Sequence, residues 1–98
     1  MNNLRTIQVF ESELDIACRL AEIAGEASAV PERLTDLLVD RRNIVLATLH
    51  DDTPVAYLVA HSFPSLSGQK LVYLYDIEVA PAFRRIGIGT ALVTKLKE

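Results

Sequence analysis

The run "LVYLYDIEVAPAFRRIGIGTALVTKLKE", Leu71 to Glu98, restricts the fold more than any other part of the sequence. Its first ten residues, Leu71 to Ala80, are apolar at nearly every position, as in a central strand covered on both faces. Pro81 breaks the strand, Arg84, Arg85, Gly87 and Gly89 form a basic, glycine-spaced turn, and helical spacing follows at once. A helix that starts this way presents unpaired backbone N–H groups and the positive end of its dipole, which together attract an anion. Gly87 and Gly89 let a phosphate approach the main chain without a Cβ in the way, and Arg84 and Arg85 add charge and forked donors. Two familiar phosphate loops do not fit. The dinucleotide fingerprint needs a third glycine where Leu92 stands, and the Walker loop needs a Gly-Lys-Ser/Thr that is absent.

The preceding residues supply the rest of one α/β domain. "LRTIQVF" (Leu4 to Phe10) alternates apolar and polar residues and predicts a strand. "ESELDIACRLAEIAGEA" has helical spacing, with Leu14, Ala17, Cys18, Ala21 and Ala24 on one side and Ser12 with Asp15 as a cap. Pro31 is placed to open a second helix, "PERLTDLLVDRR", with Leu34, Leu37 and Leu38 facing inward. Asn43 to His50 and Thr53 to Phe63 read as strands joined by an Asp51-Asp52 hairpin, and "PSLSGQK" as a polar loop before the apolar strand. The order is β-α-α-β-β-β-α in a single domain, residues 1–98, without repeats or linkers.

Composition removes several classes of function. A net charge of −3 and a pI near 5.3 argue against a nucleic-acid binder, which needs a broad basic face. Half of the residues are apolar, which supplies a core, but no run reaches membrane-spanning length and the N-terminus lacks the apolar centre of a signal peptide. The expected location is cytoplasmic. One cysteine, Cys18, makes neither a disulfide nor a zinc site and reads as a small buried hydrophobe, and no metal site is expected. Tyr73 and Tyr75 read as core aromatics, and His50 and His61 lack a constellation of partners.

Arg84-x-x-Gly87-x-Gly89, between a strand and a helix, resembles the acetyl-CoA-binding signature of the GNAT superfamily of N-acetyltransferases. From Leu34 onward the chain is also similar to aminoglycoside 3-N-acetyltransferases, which carry a comparable "YxYDxxV…RRxGIxTAL" run. The resemblance implies the acyl-CoA N-acyltransferase fold: a mixed, mostly antiparallel sheet with helices on both faces. It implies acetyl transfer from acetyl-CoA to a primary amine, an aminoglycoside being one candidate. Main-chain N–H groups of Arg85, Ile86, Gly87, Ile88, Gly89 and Thr90 would hold the pyrophosphate, with Arg84 adding charge. The backbone of Ile77, Glu78 and Val79 would pair with the pantetheine arm as an added strand and polarise the thioester carbonyl. Alternation puts Asp76 and Glu78 on one face, so either can take the proton of the attacking amine; Asp76 matches the family position, and its rival role is a structural carboxylate bonded nearby.

Such domains continue beyond this helix with a strand, a helix and a hairpin, and a side chain there commonly reprotonates the leaving thiolate. The sequence thus corresponds to about two-thirds of the fold. The apolar strand would then have a bare edge, which favours association. A homodimer meeting near that strand and the last helix is the expectation, and a non-catalytic dimeric module is the alternative to an enzyme.

Overall fold

The computed structural model describes residues 3–25 and 31–97. Its centre is a hairpin of β2 (Asn43–His50) and β3 (Thr53–Pro64), registered so that Val45 faces Val59 and Ala47 faces Tyr57. Asp51 and Asp52 both have positive φ, 50° and 68°, the left-handed pair that matches the twist of a two-residue hairpin. β1 (Leu4–Gln8) pairs with β2 on one side, and β4 (Lys70–Val79) pairs with β3 on the other. The order is β1-β2-β3-β4, antiparallel throughout.

Alternation along β2 and β3 produces two cores. Val45, Ala47, Leu49 and Tyr57 face α1 (Leu14–Ile23) and α2 (Pro31–Val39), which contribute Ala17, Leu20 and Leu38. Leu46, Ala56, Leu58 and Ala60 face α3 (Ile88–Leu96), which contributes Ile88 and Leu92. Helices therefore cover both faces, as expected. Leu49, Leu58 and Leu92 are the largest fully buried side chains, each stabilising the fold by about 1.5–3 kcal/mol through removal from water.

The expected elements are present in order, with local corrections. Pro31 does open α2, where its missing N–H costs nothing. The second helix stops at Val39 because Asp40 turns back to accept hydrogen bonds from the backbone N–H and guanidinium of Arg42. Ser12 does not cap the first helix: it lies inside a 3₁₀ turn, Glu11–Glu13, and Glu13 instead accepts from the Phe10 N–H at 3.4 Å. That extra turn rotates the buried stripe of α1 onto Ala17 and Leu20; Cys18 is only half-buried and Ala24 is exposed past the helix end. The tail of that predicted helix, residues 26 and 27, lies outside the described residues.

The strand β4 departs furthest from expectation. Instead of being covered on both faces, Leu71 to Tyr75 are all exposed, because among the described residues β4 is the outer strand and α1 and α2 sit over β1 to β3. Tyr73 and Tyr75 are 68% and 79% exposed and are not core aromatics. Only the end of β4 is sheltered: Ile77 and Val79 pack on the core beneath α3.

Candidate active site

The β4 strand carries an irregularity at the point where its chemistry begins. Ala60 faces Leu74 and Val59 faces Asp76, so Tyr75 is an extra residue, a β-bulge. Bulges re-aim side chains and often lie beside active sites. Here the extra residue inverts the alternation. Tyr73 opposes His61, Asp76 opposes Val59 and Glu78 opposes Tyr57, which places Tyr73, Asp76 and Glu78 together on the α1/α2 face.

Asp76 and Glu78 thus share a face, as alternation predicts, but their environments differ. Asp76 is partly buried and accepts a hydrogen bond from Tyr57 Oη to Oδ2 at 2.7 Å. Tyr57 is 4% exposed; a tyrosine buried that deeply needs a partner for its hydroxyl. Glu78 accepts from Arg84 Nη2 at 3.2 Å, so its carboxylate is paired with a cation. Two carboxylates two residues apart therefore have different partners, one a neutral donor and the other a guanidinium.

Arg84 is occupied as well. Its Nε donates to the Val79 carbonyl at 2.8 Å, tying the loop back to the end of β4. The backbone beyond it forms the site. Arg85 has φ 67° and Gly87 φ 90°, two left-handed residues bracketing Ile86 just before α3. Successive N–H groups in such turns converge into an anion-binding concavity. The first helical bond is donated by Ala91 to the Gly87 carbonyl at 3.0 Å, and among the described residues no side chain caps the helix start. The N–H groups of Ile88, Gly89 and Thr90 precede it and have no intrahelical acceptor.

A cavity of about 280 Å³ opens there, lined by Val79, Phe83, Arg84, Arg85 and the residues Gly87–Thr90. The Gly87 position has no heavy atom within 4 Å of where a Cβ would stand. This arrangement fits a phosphate group: open backbone donors, the Arg85 guanidinium beside them, and nothing within 4 Å of a Cβ position at Gly87. Arg85 is exposed at its rim, while the Ile88 side chain is buried in the core and leaves only its backbone for binding.

Sequence reasoning placed the loop but missed Tyr57, which reads as one more apolar residue in "PVAYLVA". The available signal was a polar hydroxyl at an inward-facing position, and naming its partner required the register. His61 and His50 have structural partners, Asn43 Oδ1 at 2.8 Å from His61 Nδ1 and the Phe83 ring at 5.1 Å from that of His50. Among the described residues no group of three His, Cys, Asp or Glu side chains could hold a metal ion, and no helix is long and apolar enough to cross a membrane.

The sequence matches the Acetyltransferase (GNAT) family over residues 6–98. A comparison with curated proteins finds no match. Among solved structures, an aminoglycoside acetyltransferase from an uncultured soil metagenomic sample, in complex with sisomicin, superposes with a TM-score of 0.90 at 23% identity. That alignment covers 98% of this chain and 68% of the other. A second aminoglycoside acetyltransferase from an uncultured soil metagenomic sample gives a TM-score of 0.79 at 28% identity, covering 96% and 69%. The ribosomal-protein-alanine N-acetyltransferase of Brucella melitensis biovar Abortus 2308 gives 0.79 at 21%, covering 96% and 69%. At the lower identities the likeness is one of fold.

Proposed function

The chain belongs to the acetyltransferase (GNAT) family, and from that premise we propose that it takes part in acetyl transfer from acetyl-CoA to a primary amine through the site at β4 and α3. The observation that carries this reading is the start of α3, uncapped among the described residues and with its converging N–H groups, in the loop that follows the strand bearing Asp76. Backbone N–H groups from Arg85 to Thr90 hold the pyrophosphate, and the exposed Arg85, which forms no ion pair among the described residues, meets it. The end of β4, Ile77 to Val79, pairs with the pantetheine arm. Arg84 already occupies the Val79 carbonyl, and the Ala80 N–H bonds to Val55 on β3, so alternation turns the Glu78 backbone toward β3 and leaves the Ile77 backbone and the Val79 N–H as the main partners for that arm.

In the transfer, the amine nitrogen attacks the thioester carbonyl carbon. The C–N bond forms, the C–S bond breaks, and the proton lost by nitrogen passes to Asp76 and ends on the departing sulfur. Asp76 is the base in this reading because Glu78 is held by Arg84. The acceptor is a primary amine that attacks in its neutral form, and an aminoglycoside is the first candidate, supported by the neighbour at 28% identity and by the Asp76 carboxylate on the same face as an exposed Tyr73.

The test is titration of acetyl-CoA by calorimetry, then an assay of CoA thiol release with a panel that includes sisomicin and spermidine. Saturable binding and turnover that falls about a hundredfold in Asp76→Asn support the reading. Binding without turnover of any amine removes the enzyme half of it.

A second reading rests on the exposed apolar face of Leu71 to Tyr75 at the sheet edge. In it the chain is a non-catalytic module that pairs β4 with that of a second copy. Lys70 at one end of the strand and Asp76 and Glu78 at the other make antiparallel self-pairing favourable in charge. Light scattering at micromolar concentration decides: a monomeric mass eliminates the dimer.

A further inference from the structure

We propose that Tyr57 is a positioning residue for the transfer reaction, acting through Asp76; this rests on the reading of Asp76 as the base. Three observations carry it. First, Tyr57 is itself fixed. It lies in the middle of β3, is 4% exposed, and belongs to the core cluster with Val45, Ala47, Leu20 and Leu38 under α1 and α2. A ring packed on that many sides has one available orientation.

Second, the bond is made across the ladder on the diagonal. Tyr57 stands opposite Glu78, yet its hydroxyl reaches past that residue to Asp76, which stands opposite Val59. Diagonal neighbours on one face lie within reach of aromatic side chains. Third, Asp76 directly follows the bulged residue Tyr75, on a strand whose preceding residues, Leu71 to Tyr75, are all exposed. This is the part of the sheet where a carboxylate is least constrained by its own strand. The tyrosine supplies the constraint from the adjoining, well-packed strand.

The chemistry is suited to a base. The hydroxyl occupies Oδ2 at 2.7 Å. Among the described residues no other hydrogen bond to the Asp76 carboxylate is formed, so Oδ1 is left for the proton of the amine. The bond fixes the orientation of the carboxylate and with it the direction from which the proton is accepted. Reactions that depend on such alignment lose rate steeply when the group is displaced by a fraction of an ångström to one ångström.

The test uses the whole chain with Tyr57→Phe, Asp76→Asn and the double variant. With acetyl-CoA and the panel amine that turns over fastest, Tyr57→Phe is expected to lower kcat roughly tenfold while KM for both substrates stays within about twofold. In the Asp76→Asn background the same change is expected to have no further effect on kcat. Equal fold losses in both backgrounds, or no loss in either, overturn the proposal. Melting temperatures of the four proteins supply a readout without turnover: non-additive shifts support the bond, and additive shifts overturn it. Asp76→Asn with full kcat removes Asp76 as base and is distinguishable from a failure of Tyr57 alone. Absence of turnover with every amine in the unaltered protein removes the transfer reading and this role together.

Discussion

Two glycines two positions apart in the loop should respond to alanine in opposite directions. Gly87 has φ 90° and ψ 7°, in the left-handed region. An L side chain there brings Cβ against the following carbonyl at a cost of about 1–2 kcal/mol, although the space around it is open, with nothing within 4 Å. For a domain of this size each kcal/mol moves the melting temperature by about 4–8 °C. Gly87→Ala should therefore melt roughly 4–16 °C below the parent protein. Gly89 lies inside α3, and a Cβ there would meet Ile77 Cδ1 at 3.9 Å, an ordinary contact. Alanine replaces glycine in a helix with a gain of up to about 1 kcal/mol, so Gly89→Ala should melt at or a few degrees above the parent. Thermal unfolding followed by circular dichroism measures both. Asparagine tolerates the left-handed region better than alanine, and Gly87→Asn should fall between the parent and Gly87→Ala. A Gly87→Ala protein that melts with the parent, or a Gly89→Ala protein that loses as much, would refute the conformational argument.

Leu92 is wholly buried between α3 and the sheet; Leu92→Ala should cost about 2–5 kcal/mol, a large part of the stability of a chain this short, as read from urea unfolding. The Asp40 carboxyl is held down to about 2 by the Arg42 guanidinium and backbone N–H, from 3.8, and Arg41 lowers Glu11 likewise. Both folded-state values lie below the unfolded ones, so their stabilisation is complete only above the unfolded values of 4.5 and 3.8, from about pH 5 upward, and is lost as pH falls through the folded-state values, about 2 for Asp40. Asp40→Asn should flatten that part of the acid-unfolding curve, and an unchanged acid limb would count against the pair. Glu78→Gln keeps a partner for Arg84 and should hold acetyl transfer within about threefold of the parent, whereas Asp76→Asn should lose about a hundredfold. The reverse ranking would make Glu78 the base.

Much of the fold is legible from residues in sequence. Strands β2 and β3 declare themselves by apolar runs around Asp51-Asp52, α2 by Pro31, and the start of α3 by Gly87 and Gly89. These are local effects: a fixed φ at proline, a permitted φ at glycine, a turn of two residues. The misreadings arose where burial depends on neighbours that the sequence does not name. "LVYLYDIEVA" has the composition of a covered strand, but coverage is set by where α1 and α2 lie, and they lie over β1 to β3. Ser12 has the chemistry of a cap, but the preceding residues coil into a 3₁₀ turn and Glu13 takes that position.

For the site, the sequence by itself determined the donors: a strand, a basic turn and a helix start with open N–H groups are consequences of Pro81, Arg84, Arg85, Gly87 and Gly89 in that order. Only the tertiary structure decided how the two acids differ. The bulge at Tyr75 turns Tyr73 onto the face of Asp76 and Glu78, against strict alternation. Register then brings Tyr57 from the neighbouring strand to Asp76, and the loop after β4 returns Arg84 to Glu78. Both partners are fixed by pairing and loop closure between separate segments. The physical reason is that a side chain's role depends on which groups it meets, and for these two carboxylates the decisive groups lie on other elements, 19 and 6 residues away.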